Sequence, residues 1–349
     1  MTMSKLRTKN HFVPQCYLKQ WADGDQNICE YQTLVSHKDV PVWRSRSPSG
    51  TGYQEHFYTQ ILSGKESDDF EKWLAEEFEA PVAPVINKVV NDKSLTPADW
   101  EVLVKFLAAQ DVRTPFRLLE HYRRSQEMMP NVLEEVLNEL KEKLERDETQ
   151  VGEDIPEKLD NPVEFPLRVT THIEEGEETG IVKAESYVGR ALWLYSIRHL
   201  LTNTRKALHD HRWTIIKPAK GYTWFTSDNP VIKLNFNSDY NYDFGGGWGK
   251  QNGNIIFPLG PEHAMFVQIG DRPRPKGARL SVARTIQIRR FIAENAHRKI
   301  YSRFEDNEVP SLRARIVNAK QYNAEKKELA DWHRNNAVME MRYLASNRK

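Results

Sequence analysis

The sequence predicts an α+β protein, with a helical middle region and a mixed or antiparallel sheet in the C-terminal half, on three observations. Between Asp69 and Leu208 apolar residues recur at three- and four-residue intervals, the period of helices with a buried face. From Trp213 to Ile269 they form short runs broken by Gly, Pro and Asn, the pattern of sheet strands. The composition, 39% hydrophobic and 28% charged over 349 residues, is that of a globular chain able to bury a substantial core.

Taken in order, Cys16 to Trp21 reads as a short helix closed by the Asp23-Gly24 turn, and Asn27 to Leu34 as a strand. Arg44 to Gly52, rich in Ser, Pro and Gly, reads as a loop. Phe70, Trp73, Leu74, Phe78, Val82, Val85, Ile86 and Val89 predict a long helix to about Val90, kinked or split at Pro81 and Pro84. Glu71 falls inside its apolar arc and Glu79 near the edge. They either cap and snorkel or face a shared polar cavity. Thr96-Pro97-Ala98-Asp99 is a helix start with a hydroxyl cap and a proline at the first position. The helix that follows buries Trp100, Leu103, Val104 and Leu107. Gln110 and Asp111 extend that face, where polar groups either lock helices together or line a site. Pro115 places Arg113 and Thr114 at the helix end.

Residues 127 to 180 hold 17 acidic residues against five basic ones, which reads as a solvated insertion or an acidic arm for a protein partner. Its first half is an amphipathic helix and its second a proline-punctuated loop. Helical spacing returns from Tyr187 to Leu208. The strands then expected are Trp213–Ile216, Thr223–Thr226, Val231–Leu234, Asn254–Phe257 and Ala264–Ile269, with Lys220-Gly221 turning the first two into a hairpin. Gly245 to Gly249 is a loop without the GKS or GKT ending of a phosphate loop. Residues 272 to 303 carry ten basic residues and one acid, on enough apolar content for a helix. The tail from Ala314 reads as one or two helices. The boundaries expected are an N-terminal motif unit over 1–65, a helical region over 66–211, a sheet and basic helix over 212–303 and a helical tail over 304–349, all within one compact domain.

Lys plus Arg is 50 and Asp plus Glu 49, so no global field favours nucleic acid or membrane. Two cysteines, Cys16 and Cys29, with no signal-like segment speak against a disulfide framework or structural zinc, and a reducing cytoplasm fits best. No apolar run approaches about 18 residues, so no conventional membrane span is expected.

The chemistry-bearing stretch is Asn10-His11-Phe12-Val13-Pro14-Gln15-Cys16-Tyr17-Leu18-Lys19-Gln20-Trp21. With Gln110-x-x-Arg113-Thr114-Pro115, Thr226-Ser227-Asp228-Asn229-Pro230-Val231, Phe257-Pro258-Leu259-Gly260-Pro261 and Asn295, it resembles the bacterial family catalogued as domain of unknown function 4238, over roughly residues 9 to 303. The resemblance implies no known activity and brings no catalytic residues with it.

His11-x-x-Pro14, with Asn27 and His37 downstream, also invites an HNH nuclease reading. The helix read over Gln15 to Trp21 stands where a hairpin is required, and that reading is set aside. Ser227 and Asp228 lie at a strand-to-turn junction, either as a self-satisfied Asx turn or as exposed functional groups. The sharper hypothesis is a cytoplasmic hydrolase of phosphodiesters, a nuclease-like effector. In it His11 is the acid or base, Asp228 orients it or holds a divalent metal, and Arg113 neutralises an anionic transition state. Gln15, Tyr17, Glu71, Gln110, Ser227 and Asn295 support them, while Arg284, Arg289, Arg290 and Arg298 track a nucleic-acid backbone. The basic stretch reads equally as a face pairing with the acidic insertion. The competing readings are a recognition module whose His11, Arg113 and Asp228 form a buried polar network, and a regulatory protein acting through its charged surface.

Overall fold

A computed structural model describes residues 6–145, 165–173, 180–238 and 241–346. The fold is α+β, with its larger sheet in the C-terminal half. The helix Pro97–Val112 runs through the middle. Thr96 caps it through the reciprocal bonds expected of its sequence, Asp99 N–H to Thr96 Oγ1 and Thr96 N–H to Asp99. From Leu103 to Val112 all but Lys105 are buried, Phe106, Ala108 and Ala109 included, so the helix is covered on more sides than the single stripe expected for it. Lys88 ties it to the preceding helix Ala80–Val90 by a 2.7 Å ion pair with Asp99.

The expected long helix from Asp69 is continuous, but its irregularity is a π turn over Ala75–Glu79, just ahead of the prolines. A π turn adds one residue to the helical count. Glu71 and Glu79, eight apart and about 80° apart on an ideal helix, therefore stand like residues seven apart, about 20° from alignment.

The large sheet is mixed, in the order Asn241–Asp243, Ile232–Ser238, Asn254–Gly260, His263–Gln268, Thr214–Lys217 and Ala278–Arg279. Its pairings are antiparallel except the last, which is parallel. The hairpin expected at Lys220-Gly221 does not form. Thr214–Lys217 pairs with His263–Gln268 instead, and of the next expected run only Thr226 is strand, in the short strand Thr226–Ser227. A second, four-stranded sheet takes Thr226–Ser227, Lys299–Ser302, Ile28–Gln32 and Trp43–Arg46, joining the two ends of the chain. Two of these strands were not expected: Trp43–Arg46 lies in the predicted loop, and Lys299–Ser302 in the predicted basic helix. That helix ends at Asn295.

Within the acidic insertion the helix Pro115–Glu145 continues as expected. Leu167–Ile173 and Gly180–Ser186 are an antiparallel hairpin rather than loop, and residues 146–164 and 174–179 lie outside the described residues. The tail is one helix, Ala319–Ser346. One buried apolar cluster draws on Phe12, Leu103, Trp193, Phe257 and Trp332, from every quarter of the chain. Among the described residues no helix is long and apolar enough to cross a membrane.

Candidate functional site

The N-terminal motif and the Thr226 motif meet. Tyr17, fully buried, donates from its hydroxyl to the Pro258 carbonyl at 2.8 Å and lies 2.7 Å from Thr226 Oγ1. Trp21 Nε1 donates to the Trp224 carbonyl at 2.8 Å. Tyr17 stacks on Phe257 at 5.2 Å, so the phenol is a packing and locking group with no path to a substrate.

His11 ends the strand Lys9–His11, which pairs with Tyr53–Glu55. It opens onto a cleft of about 600 Å³ shared with Arg7, Lys9, Gln15, Cys16, Glu71 and Glu79. Both glutamates line this cleft, in keeping with the second of the two readings of them, and the π turn brings them to nearly the same side of the helix. Two buried polar atoms of its lining residues have no partner among the described residues: His11 Nε2 and Glu71 Oε2. Burial, then the charge of Lys9, lowers the imidazole from 6.5 to about 4, with Glu79 and the Ser49 backbone pulling the other way. Burial, then Glu79, raises the Glu71 carboxyl from 4.5 to about 8, against Arg113 and the His11 backbone N–H. At neutral pH the site holds a neutral imidazole beside a protonated carboxyl. Burial and Glu79 push the Cys16 thiol up to about 11, so it is no nucleophile at neutral pH.

Behind the cleft Arg113, the C-cap of the central helix, is fully buried. Its guanidinium binds Glu79 at 2.7 Å and Gln110 Oε1 at 3.3 Å, while Gln110 Nε2 donates to the Phe12 carbonyl at 2.7 Å. The Tyr58 hydroxyl donates to the Arg113 carbonyl at 2.7 Å. Arg113 and Gln110 thus brace His11 and Glu79 from within the protein, and Arg113 reaches the cleft only through its field.

Asp228 is elsewhere. Its carboxylate accepts the backbone N–H groups of His297, Arg298 and Lys299 at 2.8 to 3.0 Å, and no hydrogen bond or ion pair joins it to His11. Burial pushes its carboxyl up, against the pull of His297 and these donors. The expectation that Asp228 orients His11 or holds a metal beside it is corrected: three fixed N–H donors occupy the carboxylate. It is not a self-satisfied Asx turn either, since the clasped backbone lies about seventy residues away. Asn295 donates to the Asn229 and Val231 carbonyls, Ser227 Oγ accepts the Asn229 N–H, and Thr114 Oγ1 lies 3.3 Å from Asn229 Oδ1. These groups form a second polar cluster that ties the end of the helix Val282–Asn295, and through Thr114 the turn after the central helix, to the segment following Thr226–Ser227.

The four arginines divide. Arg284 and Arg290 are exposed. Arg289 is turned inward, paired with Asp306 at 2.6 Å and Glu308 at 3.1 Å, and Arg298 is paired twice with Glu325 at 2.7 Å. Neither is presented to a nucleic-acid backbone. Their acids come from the C-terminal segment, not from the acidic insertion.

Among the described residues one group of three, His56, Glu66 and His333, brings ligating atoms within 4.8 Å of one another. His333 Nδ1 lies 2.9 Å from Arg190 NH1, a permanent donor, so Nε2 carries the proton it shares with Glu66 at 2.7 Å. That leaves His333 no free lone pair for a metal, and His56 stacks on it at 4.2 Å.

The residues missed by the sequence reading are Arg7, Lys9 and Cys16 at the cleft. Lys9 lies over the Tyr53 ring, 3.9 Å from its centre, a contact across paired strands that no local pattern announces.

The fold and site define an α+β protein with a half-open polar cleft, whose imidazole and carboxyl are pushed in opposite directions. Residues 9–306 match the family described as Protein of unknown function (DUF4238), and the chain belongs to that family. No curated protein and no solved structure matches it.

Proposed function

We propose that the cleft hydrolyses phosphodiesters, as a nuclease-like enzyme, with His11 as general base and the Glu71 carboxyl as general acid. The observation that supports this reading is that His11 and Glu71 line one cleft, each with a buried side-chain atom, Nε2 and Oε2, that has no partner among the described residues, and with opposed protonation preferences. Two titratable groups pushed apart in this way divide the acid and base roles between them. His11 Nε2 takes the proton of the attacking water, and Glu71 gives its proton to the leaving oxygen. Arg7 and Lys9 line the cleft and attract an anionic substrate, while Arg113 and Gln110 position the machinery. The exposed Arg284 and Arg290 are the remaining candidates for contact with a nucleic-acid backbone.

The test is cleavage of mixed RNA and DNA pools by the purified chain, beside His11→Ala and Glu71→Gln, with and without divalent metal, at matched fold stability. Both variants are expected to lose cleavage. For wild type, kcat/KM should rise through about pH 4 as His11 loses its proton. It should fall through about pH 8 as Glu71 ionises. Wild type inert under every condition overturns the enzyme reading. It would leave a non-catalytic recognition module, a reading favoured by the full burial of Arg113 and the three backbone bonds of Asp228.

A further inference from the structure

A separate concavity of about 400 Å³ lies between the helix Pro115–Glu145 and the helix Arg190–His199. That volume is within the range of about 300–1,000 Å³ usual for small-molecule sites. Its walls are mostly apolar, from Met128, Met129, Val132, Phe165 and Leu192. Its floor is charged. Asp111, buried at the end of the central helix, takes Lys233 Nζ at 2.6 Å, Trp248 Nε1 at 2.7 Å and Arg117 NH2 at 2.8 Å. Arg117 also binds Glu120 at 2.5 Å. Among the described residues both carboxylates at the pocket are therefore engaged.

The cations are not all engaged. Arg124, exposed one turn along from Glu120, also lines the pocket and has no hydrogen bond or ion pair among the described residues. His121 stands beside it, with burial and then Arg124 lowering its imidazole to about 4, so it adds a neutral polar group next to the unmatched charge. Among the described residues, three cations against two paired carboxylates leave one positive charge at a mostly apolar pocket.

We propose that this pocket binds a small amphipathic monoanion, an aliphatic or aromatic carboxylate, with its apolar body against Met129, Val132, Phe165 and Leu192 and its carboxylate on Arg124. Apolar burial supplies most of the affinity, and the single charge pair sets the preference for an anion over a neutral or cationic ligand of the same body. The ligand's carboxylate replaces water on Arg124 without breaking the Asp111 cluster beneath. The inference stands independently of the chemistry proposed for the His11 cleft.

Titration calorimetry of the full chain with decanoate, decanol and decyltrimethylammonium tests it, each ligand below its micelle-forming concentration. Wild type is expected to bind decanoate about tenfold more tightly than decanol and to bind the ammonium probe more weakly than decanol. Arg124→Glu, at an exposed unpartnered position, keeps the fold and should erase the preference for decanoate. Met129→Trp fills the pocket and should weaken decanoate and decanol alike. Absence of decanoate binding to wild type overturns the proposal. So do equal affinities for the three probes, survival of the anion preference in Arg124→Glu, and unchanged binding in Met129→Trp.

Discussion

Glu71 makes the folded chain lose stability as pH rises through neutrality, and Glu71→Gln should remove that loss. The carboxyl ionises at about 8 in the fold against an ordinary 4.5, so between those values the folded chain holds a proton that the unfolded chain has released. The folded state binds more protons, and the free energy of unfolding therefore falls with pH. His11 acts with the opposite sign. Its imidazole ionises at about 4 in the fold against an ordinary 6.5, so the unfolded chain binds the extra proton there and stability rises with pH. From about 4.5 to 6.5 the two slopes oppose each other. From 6.5 to about 8 Glu71 acts alone, and at about 1.4 kcal/mol per pH unit that window contributes about 2 kcal/mol. Urea unfolding of wild type and Glu71→Gln at intervals between about pH 6.5 and 8.5 measures it. The wild-type value minus the variant value should fall by about 2 kcal/mol across the range. A flat difference would show that Glu71 ionises near its ordinary value, and the acid role argued for it would go with it.

Other positions give sharp expectations. Asp228→Asn replaces one of two acceptor oxygens with an NH₂ facing backbone donors, and should cost about 2–3 kcal/mol in urea unfolding. Tyr17→Phe leaves Thr226 and the Pro258 carbonyl without the bridging hydroxyl and should cost about 1–3 kcal/mol in the same assay. Arg113→Met strands Glu79 and should destabilise by about 3–5 kcal/mol. It should also move the Glu71 carboxyl further up, read by carbon-detected NMR titration, because Arg113 is one of the groups holding that carboxyl down.

The elements that local chemistry dictates were legible in the sequence. Thr96 and Asp99 cap a helix by contacts three residues apart, and the runs at Ile232, Asn254 and His263 alternate or cluster as strands do. Pairing was less legible. Thr214–Lys217 passes over its sequence neighbour for a partner some fifty residues on, because Trp224 and Phe225 are drawn into a core under the sheet. Trp43–Arg46 looked like loop, since a strand with polar residues on both faces resembles one until its partner Ile28–Gln32 is known. The convergence of His11, Glu71, Gln110 and Arg113 was foreseeable as polar groups on apolar faces, which need partners when buried. Asp228 was misassigned for a related reason. A carboxylate at a strand end looks the same in sequence whether it faces a substrate or three amides about seventy residues away.

The four-stranded sheet sets a timetable for the molecule. Its strand Ile28–Gln32 leaves the ribosome early but pairs with Lys299–Ser302, made about 270 residues later. Thr51, two residues before the strand that pairs with His11, is fixed by Glu30, Tyr301 and Lys299 together. A chain interrupted before residue 299 lacks two of those three anchors, and the N-terminal motif must wait for almost the whole protein before its surroundings are complete. Contacts so distant in sequence slow folding. They also mean that fragments ending short of that point carry His11 and Glu71 without the frame that holds the His11 strand in place.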